Sequence, residues 1–97
     1  MTSNEGRNVS IVRWQDLAAH IRNEILLDST LSIVETTPLI SSGLLDSYSV
    51  AELITHVEER FDVKVAPRWH QLEHLDSLER IVRTIETIRR EHRSHET

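Results

Sequence analysis

Two stretches of this chain repeat the same spacing of apolar residues, and that spacing constrains the fold more than any other feature. Trp14, Leu17, Ala18, Ile21 and Ile25 fall at i, i+3, i+4, i+7 and i+11, and Val50, Leu53, Ile54, Val57 and Phe61 do the same. Such positions line one side of an α-helix. A third stripe, Leu78, Ile81, Val82, Ile85 and Ile88, follows near the C-terminus. An amphipathic helix must bury its apolar side against another element, so three of them in 97 residues specify a small all-α bundle.

The helix ends follow from local chemistry. The spacing predicts a first helix over 11–27, stopped at Asp28-Ser29-Thr30. Ser29 to Asp46 contains Pro38 and Gly43 and no sustained period, so it reads as a long loop. Its apolar residues, Leu31, Ile33, Val34, Leu39, Ile40, Leu44 and Leu45, are expected to lay it over the core. The second helix is predicted over 47–61, with Asp46 or Ser47 as N-cap and capping-box spacing from Ser49 to Glu52. Val63 and Val65 then alternate with charged residues for one short extended step. A short third helix is expected from Pro67 to Glu73, with Leu72 inward. The fourth opens at Asp76, whose spacing to Glu79 is again that of a capping box. Residues 1–10 are read as a flexible extension, 11–90 as the domain and 91–97 as a loose charged tail.

Composition removes whole classes of activity. Without cysteine there is no disulfide, thiolate nucleophile or Cys-ligated metal. Two glycines cannot build a phosphate-cradling loop. No apolar run approaches the ~20 residues of a membrane span. The polar start, Met1–Asn8, lacks the apolar centre of a secretory signal, so a cytoplasmic chain is expected. A net charge of −5 disfavours nucleic acid. Arg80, Arg83, Arg89, Arg90 and Arg93 do not change this, because Glu79–Arg83 and Glu86–Arg90 are oriented i, i+4 pairs on a solvated helix face. His70 and His74 stand one helical turn apart, but no third ligand is specified, so no metal is expected. Ser47, Asp46 and a histidine would make a hydrolase only on paper, with no oxyanion-hole loop in sight. Trp14 and Trp69 read as core or core-edge residues.

Ser47 opens the second helix in the run Gly43-Leu44-Leu45-Asp46-Ser47-Tyr48. A hydroxyl there is rigidly presented, and a phosphate on it would face unpaired N–H groups at the positive end of the helix dipole. By itself an Asp-Ser pair is an ordinary cap. The wider string, with Pro38-Leu39 before it and Val50-Ala51-Glu52-Leu53-Ile54 and Glu58-Glu59-Arg60-Phe61-Asp62-Val63-Lys64-Val65 after it, resembles the acyl carrier proteins and related carrier domains. The resemblance continues through Leu75-Asp76-Ser77-Leu78 and Ile81, and spans Trp14 to Arg89. It implies a four-helix bundle, three long helices and one short with a long first loop. It also implies a 4′-phosphopantetheine arm from coenzyme A on Ser47, with Asp46 beside it helping recognition. Asp76-Ser77-Leu78 matches the family's core triplet more literally, but only 20 residues and one helix follow Ser77, whereas fifty follow Ser47. Ser77 is therefore read as a cap.

With its apolar stripe inward, the second helix turns Tyr48, Glu52, Thr55, His56 and Glu59 toward solvent, with Glu58 on the flank. Residues 14–59 hold eight acids against one base, a local charge of −7, and residues 60–97 hold eight bases against seven acids. An acidic face suits basic patches on partner enzymes, and in carrier proteins this helix is the usual partner surface. Tyr48, Glu52, His56, Glu58 and Glu59 are accordingly the expected partner contacts. Tyr48 stands where the commonest carriers have leucine, Ser49 where an acid is frequent and Ala51 where a larger aliphatic is usual. The Leu-Leu-Asp-Ser-aromatic run is similar to D-alanyl carriers and to stand-alone carriers of natural-product pathways.

The resemblance thus implies a non-catalytic, monomeric carrier that holds an acyl or aminoacyl group as a thioester. A phosphopantetheinyl transferase, a loading ligase and downstream acyl-transfer enzymes would be its partners in specialised lipid, polyketide or peptide biosynthesis. The alternative is an unmodified helical adaptor that binds a partner through the same acidic helix.

Overall fold

A computed structural model describes residues 11–96, with side chains as far as Glu91. The expected extension over residues 1–10 lies outside the described residues. The order is α1 (Trp14–His20) continuing as a π-helical segment (Ile21–Ile25), α2 (Ser47–Phe61), a 3₁₀ turn (Pro67–Trp69), α3 (Leu72–Leu75) and α4 (Leu78–Glu96). The architecture is the expected small all-α bundle, and the described residues contain no strand. Among them no helix is long and apolar enough to cross a membrane.

The three apolar stripes meet in one core. Leu17, Ala18 and Ile21 from the first helix pack with Leu53, Val57 and Phe61 from α2 and with Leu78, Ile81, Ile85 and Ile88 from α4. Trp14, Trp69 and Val82 are half-buried around it. Burying one such aliphatic side chain contributes about 1.5–3 kcal/mol. The helices therefore owe their stability to this shared interior more than to intrinsic propensity.

α2 occupies the predicted span. Its C-cap, Asp62, adopts the left-handed conformation (φ 55°) and donates its N–H to Glu58 O, which ends the helix. The Glu58 side chain then secures the next step, its Oε2 accepting the Val65 N–H at 2.8 Å.

Several expectations are corrected. The first helix does not stay α-helical to Leu27: hydrogen bonding widens after His20, with Leu26 N–H donating to Ile21 O at 2.8 Å and Asp28 N–H to Arg22 O at 2.7 Å. Leu27 then takes a positive φ of 53°, and the Asp28 carboxylate caps the Thr30 N–H and hydroxyl in the break. The third helix is split into a 3₁₀ turn and α3, because the chain resets at His70-Gln71. Leu72 is 50% exposed and Leu75 takes the inward place at 5%. α4 is capped by Ser77, whose hydroxyl accepts the Arg80 N–H at 3.2 Å, so Asp76 and Glu79 form no capping box. Glu79 does pair with Arg83 at 3.4 Å, whereas Arg90 donates to Thr87 Oγ1. The α4 backbone stays helical to Glu96.

The Asp76 carboxylate is spent on the long loop. Its Oδ1 accepts the N–H groups of Ile40 (2.7 Å) and Ser41 (2.9 Å), and its Oδ2 accepts the Ser41 hydroxyl (2.7 Å). Leu39 N–H adds a bond to Asp76 O at 2.8 Å, and Glu79 N–H donates to Glu35 O at 3.0 Å. The loop is thus fastened to the start of α4, with Ile33, Leu39 and Leu45 buried beneath it.

Burial works against the charged form of Asp76, but the bonds from the Ser41 hydroxyl and the loop backbone outweigh it and hold the carboxyl below its usual range. Its contribution is therefore complete above the ordinary aspartate range and is lost as pH falls through the lowered value. Asp76→Ala is expected to cost about 2 kcal/mol, about 10 °C in Tm. Glu79→Ala, which removes only an exposed ion pair, should stay within about 0.5 kcal/mol of wild type. Thermal melts of the two variants check both values.

Candidate functional site

The loop Pro38–Asp46 closes on itself before it delivers the chain to α2. Leu45 N–H donates to Leu39 O at 2.8 Å and Gly43 N–H to Ile40 O at 2.9 Å. The Ser42 hydroxyl donates to Pro38 O at 2.7 Å. Gly43 sits at φ +85°, where a side chain would be strained even though the space beside it is open. Leu39 and Leu45 are almost wholly buried and anchor the two ends of this turn.

Asp46 is the N-cap of α2, settling the choice between Asp46 and Ser47. It is extended (φ −89°, ψ −178°), and its Oδ1 accepts the Ser49 N–H at 2.9 Å. The Ser49 N–H and hydroxyl hold the Asp46 carboxyl below its usual range. Ser49 itself is buried, so it serves as an inward partner of the cap.

Ser47 is consequently the first residue of a 15-residue helix, and it is exposed. Helix geometry leaves the first N–H groups without intrahelical partners, and the dipole puts partial positive charge at this end. An ester phosphate on the Ser47 oxygen would meet both. Ser77 contrasts with it: 7% exposed, with its hydroxyl engaged as the cap of α4. No histidine of α2 serves Ser47 as a base, since His56 lies nine residues on, about 13 Å along the axis, and is stacked on His20.

The structure places the other predicted residues unequally. Tyr48 (72% exposed), Glu52, Thr55 and Glu59 form one outer stripe of α2 below Ser47. His56 is half-buried against His20, and burial, His20 and Arg60 lower its affinity for a proton while Glu59 raises it. Glu58 is half-buried and committed to Val65. His70 Nε2 lies 2.8 Å from Val65 O, and His74 sits beside Glu73 and edge-on to Trp69. Among the described residues no group of three or more His, Cys, Asp or Glu side chains is arranged to hold a metal ion. Beneath the exposed end of α2, Ile40, Val50, Ile54, Val65, Leu75 and Ile81 line an apolar crevice.

Sequence reasoning missed the supports of this site, Asp76 and Ser41. Their signal was ambiguous, since an Asp-Ser pair ahead of an apolar stripe reads as a helix cap, and the loop that Asp76 holds lies 35 and 36 residues away.

The family model described as "phosphopantetheine attachment site" matches residues 15–85. No curated protein and no solved structure matches the chain. The match spans most of the sequence, and the chain belongs to the phosphopantetheine attachment family, whose domain is the site of covalent 4′-phosphopantetheine attachment. Its role is that of a phosphopantetheine carrier, which works through partner enzymes. The residues present suit such a group: an exposed hydroxyl at a capped helix N-terminus.

Removing the cap should loosen this end of α2. In Asp46→Ala the amides of Ser49 and Val50 are expected to exchange several-fold faster with solvent, while Asp46→Asn, an equally good cap, stays near wild type. Amide hydrogen exchange read by NMR distinguishes the two.

Proposed function

We propose that this family member carries its phosphopantetheine on Ser47 and presents an acyl or aminoacyl group to partner enzymes. The observation that supports this reading is the contrast between two Asp-Ser sites. Ser47 is exposed at the capped start of α2, whereas Ser77 is buried and engaged. When bound, the arm supplies the thiol that a cysteine-free chain lacks and holds cargo as a thioester.

The chain's own residues hold and orient the acceptor in this reading, and catalyse nothing. Asp46 fixes the first turn, so the Ser47 hydroxyl is offered at a constant position to a phosphopantetheinyl transferase. Tyr48, Glu52 and Glu59, with His56 and Glu58 on the flanks, make the surface for that transferase, a loading ligase and downstream acyl-transfer enzymes. Basic patches on those partners would complement it, and the exposed Tyr48 ring offers a desolvatable anchor at its Ser47 end. The carrier unit is residues 11–90, acting as a monomer in the compartment that holds coenzyme A, the cytoplasm. Specialised lipid, polyketide or peptide biosynthesis is the setting this reading assigns.

Incubation with coenzyme A and a broad-specificity phosphopantetheinyl transferase should add one phosphopantetheine to the intact mass. The addition should vanish in Ser47→Ala and persist in a folded Ser77→Ala. An addition that survives Ser47→Ala puts the group elsewhere. No addition to a folded chain with several transferases favours the unmodified adaptor.

A further inference from the structure

The first helix and α2 touch through two histidines. His20, the last residue of α1, and His56 of α2 stack face to face, with ring centroids 3.5 Å apart and planes within 8°. Both are half-buried. Two neutral imidazoles, or one neutral and one charged, can share this separation without a like-charge cost. Two imidazolium ions do not, because like charges at van der Waals distance, partly shielded from water, repel strongly.

The surroundings of His56, taken together, oppose its charging. Burial is the largest influence on His56 and opposes its charging; His20 across the interface and Arg60 one turn on act the same way, and only Glu59 favours it. Glu52 stands one turn before His56 on α2, and Asp16 and Glu24 lie one turn either side of His20 on its own segment. The pair also sits where the backbone is least regular, since π-type bonding begins at Ile21, directly after His20. π-type turns are rare and occur mostly as single turns within α-helices.

We infer that the His20–His56 stack is a proton-sensitive latch between the first helix and α2, closed while at most one ring is charged and released when both are. Acidification would then loosen the first helix and add positive charge beside Glu52 and Glu59. The inference is independent of where phosphopantetheine is attached.

The sign follows from the chemistry. Folding disfavours the charged form of His56, so as pH falls the unfolded chain takes up that proton first. The latch therefore contributes fully above the ordinary histidine range and loses its contribution as pH falls through that range to the lowered folded value.

The test uses the full-length unmodified chain with His56→Phe and His20→Phe, which keep a stacked ring but remove its charge. Between about pH 7.5 and about pH 5, the wild-type Tm is expected to fall at least about 4 °C further than that of His56→Phe, and further than that of His20→Phe by a smaller margin, because burial still opposes the charging of His56 there. The other histidines are common to all three proteins and cancel. In NMR titrations the His56 midpoint should lie below the ordinary histidine value and rise in His20→Phe. Parallel Tm curves, or a His56 midpoint that ignores the His20 substitution, would overturn the latch. Should a variant fail to fold, the wild-type titration still decides, because a His56 midpoint at or above the ordinary value contradicts it.

Discussion

The geometry of the candidate site hangs on one carboxylate. Asp76 accepts three hydrogen bonds from Ile40 and Ser41, and by doing so fixes a loop that has no secondary structure of its own. Everything upstream of Ser47 then follows in order. With Ile40 and Ser41 held, the turn through Gly43 can close, Leu39 and Leu45 stay buried, and Asp46 arrives extended and ready to cap α2. Without that clip the loop would oppose the conformational entropy of ~20 residues with its apolar contacts and its backbone bonds alone, among them Leu39 N–H to Asp76 O and Glu79 N–H to Glu35 O. The serine's constancy of position is thus a property of the junction between α3 and α4 as much as of its own helix.

The two sides of α2 do different work for the same reason. Its inner stripe, Leu53, Val57 and Phe61, is locked in the core, which makes the helix a rigid platform. Its outer stripe is then a fixed pattern of Tyr48, Glu52, Thr55 and Glu59. In the proposed carrier reading this surface serves partner enzymes, since docking is steered by long-range charge and orientation is set by short-range shape. The flanking acid Glu58 shows that local charge is not all available for docking: its carboxylate secures the Val63–Val65 step.

Much of this was legible in the sequence because it is governed by local rules. The 3.6-residue period found the three long helices, and for α2 both ends, with Asp46 one of the two N-caps its sequence offers. The family followed from residues strung along most of the chain, and the match over 15–85 agrees with it. What escaped was set by contacts distant in sequence. Asp76 has the local signature of a helix cap and a tertiary role as a loop clip. Leu72 and Leu75 are both plausible inward residues by hydropathy, and only the reset at His70-Gln71 decides for Leu75. The widening after His20 has no sequence mark at all, because α and π turns use the same residues and differ in which carbonyl each N–H finds.

The central claim is that the phosphopantetheine sits on the exposed serine that opens α2, and not on the buried one that caps α4. Peptide mapping of the modified wild-type chain tests this without any substitution. Trypsin separates the two serines, Ser47 within Asn23–Arg60 and Ser77 within Trp69–Arg80. The account predicts that the added mass travels wholly with Asn23–Arg60 and that fragmentation localises it to Ser47. Added mass on Trp69–Arg80, or on another serine of Asn23–Arg60, would contradict it.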